Sequence, residues 1–227
     1  MKRFIAGTFL MVGSLNASQV FNYDFESGAV PGDFSGAGFI QDTGSAPAGL
    51  GLGQYLLRNA SGVGSEAILT KNGLLPHTSV TLDFTFVAID SWDGGGPIAW
   101  SCCEPDELVI TVDGTEKYRE AYRNVFILDG LTTDGTATFL AGDGSNWMVS
   151  SWNESAWRVS LTFAHTGSSL AIGFSPGGAG WQAGDDESLG IDNVTVTTNG
   201  SLVPEPATGL LVAAAGALAL VARKRLA

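Results

Sequence analysis

Ser79-Val80-Thr81-Leu82-Asp83-Phe84-Thr85-Phe86-Val87-Ala88-Ile89 decides the fold. Val80, Leu82, Phe84, Phe86 and Ala88 take every second position, with Thr81, Asp83 and Thr85 between them. In an extended chain successive side chains leave on opposite faces, so this stretch is a strand with one face in a hydrophobic core. Leu108, Ile110 and Val112 repeat the alternation before Asp113-Gly114, a dipeptide that favours the tight turn of a hairpin. Trp157, Val159, Leu161 and Phe163 repeat it again before His165-Thr166-Gly167, and Leu170, Ile172 and Phe174 follow. An opening strand is expected from Val20 to Phe25 and a closing one from Ile191 to Thr197. No helical period competes with these patterns.

Around ten strands at this spacing predict an all-β body of two antiparallel sheets packed face to face, a jelly-roll-like sandwich. The 31 glycines suit loops that need positive φ, since they follow no fixed period and the chain has no internal repeat. At 227 residues there is room for one substantial domain, expected over residues 19–198, with a full core of its own.

The two ends read differently from this body. Residues 1–18 combine Lys2 and Arg3, an apolar stretch from Phe4 to Leu15, and small residues at Ala17 and Ser18. That is the pattern of a signal peptide cut by signal peptidase, with an apolar run too short to span a bilayer. After a linker at 199–206, residues 207–227 are expected to form a short transmembrane helix with a basic tail. Gly209 to Ala222 carries no charge and leads into Arg223, Lys224 and Arg225, which favour the cytoplasmic side and leave the body outside.

Pro204, Glu205 and Pro206, followed by that apolar run and by Arg223, Lys224 and Arg225, closely resemble the PEP-CTERM sorting signal, here spanning about residues 203–227. The resemblance implies an exosortase-type membrane enzyme as partner. It implies inner-membrane anchoring before processing near Pro-Glu-Pro, then delivery to the cell envelope or an extracellular matrix.

The formal net charge is −12, yet five of the eleven basic residues sit in the two ends. The body keeps six basic against 22 acidic residues, a net of −16, which repels nucleic acid and anionic membranes. Cations or neutral molecules such as sugars suit it better as partners, and the acidity also serves solubility. Cys102 and Cys103 are adjacent, about 3.8 Å apart at Cα, which strains any bond between them.

Tyr23-Asp24-Phe25-Glu26-Ser27-Gly28, Asp90-Ser91-Trp92-Asp93-Gly94 with Pro105-Asp106, and Gly190-Ile191-Asp192-Asn193-Val194 give the body a fainter likeness to exported jelly-roll modules of the carbohydrate-binding kind. In such modules the first and last strands often lie side by side and share a structural calcium.

Calcium takes six to eight oxygen ligands from carboxylates, amides and carbonyls. Glu26 and Asp192 supply them if the first and last strands pair, and Asp90, Asp93 and Asp106 supply them around a Gly-rich loop. Each group also reads as a solvated acidic turn. Sugars are gripped by aromatic faces with polar groups beside them; Trp92, Trp147, Trp152 and Trp181 fall in loops next to Asp, Asn or Gln, and Trp100 is a further loop candidate, next to Ser101. The alternative for each is a cap on the core.

Catalytic patterns are weak. Gly173-Phe174-Ser175-Pro176-Gly177 fits the serine-hydrolase motif, but Pro176 has no N–H for an oxyanion hole and no helix follows. Glu104 and Asp106 begin a glycosidase-like Glu-x-Asp-x-x-Glu run whose third position is Val109. His77 and His165 lack metal-ligand spacing, and Asp185-Asp186-Glu187 reads as a solvated charge run. The sequence therefore points to a non-enzymatic exported protein whose body binds or organises extracellular polysaccharide, with calcium as a candidate cofactor. Its rivals are a purely structural matrix protein and a divergent glycan-cleaving enzyme using Asp106 or Glu107.

Overall fold

The computed structural model describes residues 16–94, 105–124, 136–141, 147–148 and 154–201. Residues 1–15 of the expected leader, the tail from residue 202 onward, Cys102, Cys103, Trp100 and Trp152 lie outside them. The strands, in chain order, are β1 (Asn16–Tyr23), β2 (Phe34–Gly36), β3 (Phe39–Asp42), β4 (Tyr55–Asn59), β5 (Ala67–Asn72), β6 (Ser79–Asp90), β7 (Glu107–Val112), β8 (Thr115–Ala121), β9 (Ala137–Ala141), β10 (Ser155–Ala164), β11 (Ser169–Gly177) and β12 (Glu187–Ser201).

They form two antiparallel sheets. One runs β3-β4-β12-β6-β10-β9 with β1 also on β12, and the other runs β2-β5-β11-β7-β8. The deciding stretch became β6, and it pairs along its length with β10 on one side and β12 on the other. Inward residues of the two sheets meet in one core that includes Leu82, Phe84 and Phe86 of β6, Ile110 of β7, Phe174 of β11 and Ile191 of β12. Each such side chain, fully buried, contributes roughly 1.5–3 kcal/mol of transfer free energy.

The one-faced reading of β6 holds only to Phe84. From Thr85 to Asp90 both faces are buried, because Leu50, Leu52, Leu56 and Trp147 cover Val87 and Ile89 on the outer side of the sheet. Residues of other segments, distant in sequence, supply that cover, so alternation in β6 could not announce it.

Between β7 and β8 the chain turns as the sequence predicts. Asp113 (φ 51°) and Gly114 (φ 72°) both take positive φ, the requirement of a type I′ hairpin turn, and Val112 pairs with Thr115 across it. The outer strand β8 carries Glu116, Lys117, Arg119 and Glu120, charges that discourage a further strand from adding to this edge.

β12 holds the first sheet together. β6 flanks it from Glu187 to Asn199, while the other side is shared: β4 pairs with Leu189–Ile191 and β1 with the stretch from Val194 to Ser201. Asn193 (φ 51°) makes a β-bulge between these two halves. β1 begins at Asn16 and β12 ends at Ser201, so residues 199–201 of the expected linker are strand, held by pairing of Asn16 with Ser201 and of Ser18 with Thr198. Among the described residues no helix is long and apolar enough to cross a membrane.

Candidate functional site

Two acidic groups lie along β12. The first is at its start, where β6 ends and β7 begins. Period two places Glu187 on the same face as Leu189 and Ile191, and all three are completely buried. Glu187 pairs with Asp90, the last residue of β6, while Asp93 forms an isolated bridge with Arg123 and Asp106 immediately precedes β7. Carboxylate oxygens of Asp93, Asp106 and Glu187 all lie within 4.8 Å of one another.

Their hydrogen bonds fix the group without neutralising it. The Asp93 amide donates to Asp106 Oδ2 at 2.7 Å, and the Gln182 amide and its Nε2 both donate to the Glu187 carboxylate. Asp106 Oδ1 is buried and accepts no hydrogen bond. Burial pushes the Asp106 carboxyl up to about 7, with the charges of Asp93 and Asp186 adding to the shift. Burial likewise raises Glu187 to about 8, helped by the charges of Asp106 and Asp186. Asp93 is raised too, by burial and then by Asp186.

Asp90 was expected in this group and does not enter it. It ends β6 with φ 67°, and its carbonyl accepts hydrogen bonds from Trp92 N and Asn124 Nδ2. Glu187 takes the place expected of Asp90. Reading Asp185-Asp186-Glu187 as one solvated run holds for Asp185, whose exposed carboxylate pairs with the buried Arg58 at 3.0 Å, but not for Glu187. Extending the alternation of the closing strand back from Ile191 through Leu189 would have placed this glutamate inward.

The second group is at the bulge. Asp192, fully buried, accepts a hydrogen bond from the Asn193 amide at 2.7 Å. Asn193 Nδ2 donates to Gly51 O at 3.0 Å. β1 lies beside this part of β12, so the chain leaving β1 carries Asp24 and Glu26 towards it. Glu26 accepts hydrogen bonds from the Gln54 and Tyr55 amides. Gly53 takes φ 59°, which favours glycine, and a Cβ there would fall 2.3 Å from Glu26 Oε1 and displace that carboxylate. Burial raises the Asp192 carboxyl to about 8, and the negative charges of Glu26 and Asp24 raise it further.

The tryptophans separate by burial. Trp92 is a core residue: it is fully buried, its Nε1 donates to Ser188 O at 3.0 Å, and its ring meets Phe86 edge to face. Trp147 lies in the outer cluster over Val87 and Ile89. Neither presents a face for stacking on a sugar, because each fills a hole between loop and sheet. Trp181 is half-buried, with its Nε1 donating to Ser61 O and its ring set edge-on against Trp92 at 5.1 Å. It stands one residue from Gln182, the residue that binds Glu187.

The remaining patterns are structural in this fold. Ser175 is buried within β11 opposite Val109, and Glu107 pairs with Arg119 across the hairpin. His77 and His165 stack on each other with Nε2 and Nδ1 2.7 Å apart, and His165 Nε2 faces Asp113 Oδ2 at 3.2 Å. These three residues tie the β5–β6, β7–β8 and β10–β11 turns together.

Residues 202–225 match the PEP-CTERM protein-sorting motif. The chain therefore carries the C-terminal, membrane-anchoring sorting signal of an exported protein. No curated protein matches it in sequence. Among solved structures it is similar to a family 35 carbohydrate binding module from an environmental isolate, with 15% identity over 82% of this chain and 100% of that one and a TM-score of 0.41. CBM35 from Cellvibrio japonicus Abf62 gives 10% identity over 83% and 95%, TM-score 0.38. Dimeric latent PorU from Porphyromonas gingivalis gives 10% identity and a TM-score of 0.41 over 77% of this chain, which spans only 13% of PorU. None of these likenesses carries a ligand or an activity to this chain.

Proposed function

We propose that the chain is exported through its leader, processed at its tail by an exosortase-type enzyme, and delivered to the cell envelope or extracellular matrix, where its body binds or organises polysaccharide. The observation that carries this reading is the match of residues 202–225 to the PEP-CTERM motif. Changing Pro204, Glu205 and Pro206 together to alanine then leaves an unprocessed precursor in the membrane fraction. An unchanged mature mass and location, by mass spectrometry and fractionation, refutes the sorting assignment.

Trp181 supports the polysaccharide part, as a partly open ring beside Gln182, an exposed residue whose Nε2 also donates to Glu187. Stacking on an apolar sugar face with an amide to set the ring's orientation is the chemistry these two groups offer. Calorimetric titration with the producer's own polysaccharide is expected to saturate, and Trp181→Ala to weaken it about tenfold, equivalent to about 1.4 kcal/mol. The burial of Trp92 and Trp147 favours the second reading, a structural matrix protein. Titration without saturation would establish that one instead.

A structural calcium at Glu26 and Asp192 remains part of the proposal, supported by the fully buried Asp192 at the bulge and by β1 lying beside that stretch of β12. Bound there, the ion would join the exit of β1 to the middle of β12.

A further inference from the structure

We infer that Asp93, Asp106 and Glu187 bind a divalent cation of the calcium class, at a site separate from Asp192. Three stretches far apart in sequence bring these carboxylates together. Two oxygens on one calcium, each at about 2.3–2.6 Å, can stand up to about 5 Å apart. The observed spread of up to 4.8 Å lies within that reach.

Asp106 Oδ1 points to the ligand. Buried polar atoms nearly always have a partner, and a bare carboxylate oxygen in the interior is costly. Asp106 is fully buried, and its Oδ1 receives no donor, although Asp93 N and Gln182 supply donors to the neighbouring oxygens. The donors therefore orient the group and leave oxygens turned towards each other.

A proton shared between Asp106 and Glu187 would relieve part of this repulsion. It would leave the charges of Asp93 and Asp186, which also act on the pair, uncompensated. A divalent cation offsets two negative charges where a shared proton offsets one, and it can touch oxygens of all three clustered carboxylates at once. Carboxylate oxygens without imidazole or thiolate select a hard ion over zinc or copper. A surface module outside the cell meets calcium at levels matching affinities of about 10⁻⁴ to 10⁻³ M.

The test uses the full-length chain in mild detergent and terbium, a calcium-sized ion that tryptophan rings sensitise at close range. With Asp192→Asn as background to silence the bulge, terbium luminescence is expected to rise saturably and to be displaced by calcium. Glu187→Gln and Asp106→Asn, each added to that background, should weaken the titration at least tenfold. Both variants keep the shape of the group and remove a buried charge, so their melting temperatures in chelator at pH 8 should equal or exceed that of the background. This separates lost binding from lost folding. A titration that never saturates, or that survives Glu187→Gln unchanged, overturns the site and leaves the proton-sharing pair in its place.

Discussion

Trp157→Ala is expected to destabilise the body by about 3–5 kcal/mol, the range for emptying a large aromatic site in a core. Trp157 lies on β10 and is 1% exposed. Its ring stacks on Phe86 at 5.5 Å and meets Tyr122 at 4.9 Å and Phe139 at 5.6 Å. These neighbours come from β6, the residue that follows β8, and β9, so the ring links its own sheet to the chain leaving the other. Each well-placed aromatic pair adds about 0.5–1.5 kcal/mol beyond area burial, and strands paired on both sides of β10 leave little room for collapse around the hole. Urea unfolding should show a lower midpoint with an unchanged slope. A midpoint within error of the parent would mean that this aromatic cluster is not the centre of the fold.

The second large effect is a fall in stability with rising pH when divalent ions are removed. Asp106, Glu187 and Asp192 titrate in the folded body at about 7, 8 and 8, against ordinary values of 3.8, 4.5 and 3.8. Between these limits the folded state holds more protons than the unfolded chain, so unfolding free energy decreases as pH rises. The loss begins near pH 4 and is complete about one pH unit above 8, where all three groups are ionised in both states. In chelator the melting temperature at pH 8 is expected well below that at pH 5.

Calcium should reverse the trend, because it binds the deprotonated carboxylates of the native state alone. The calcium-induced rise in melting temperature should therefore be small at pH 5 and largest near pH 8. A melting temperature that climbs from pH 5 to pH 8 in chelator would show that these groups are not buried as described.

The sandwich was legible because its long central strands carry their own evidence. β6, β7, β10 and β11 alternate strongly, and Asp113-Gly114 has few other uses. The short strands β2, β3 and β4 were harder to read. Arg58 and Asn59 in β4 are polar yet buried, with Arg58 satisfied by Ser188 Oγ, Gly184 O and Asp185. Such partners come from more than a hundred residues away, and no local pattern announces them.

The candidate sites divide in the same way. Asp93 and Asp106 stood out as oxygen donors near a glycine-rich turn. Glu187 was masked by its exposed neighbours Asp185 and Asp186, although strand periodicity pointed it inward. Trp92 and Trp181 have similar polar neighbours in sequence, and only tertiary packing buries the first and leaves the second half open.

The position of β12 imposes an order of events on the living chain. It is the last strand of the body to leave the ribosome and the last to pass through the membrane, yet it occupies the middle of its sheet. Until Glu187–Ser201 has emerged, β1, β4 and β6 have no common neighbour and the first sheet cannot close. The sorting tail begins at the next residue, 202, so the strand that closes the sheet arrives outside together with the signal that halts the chain. On the proposed reading of the tail, the first sheet can close only when the sorting signal has itself reached the membrane.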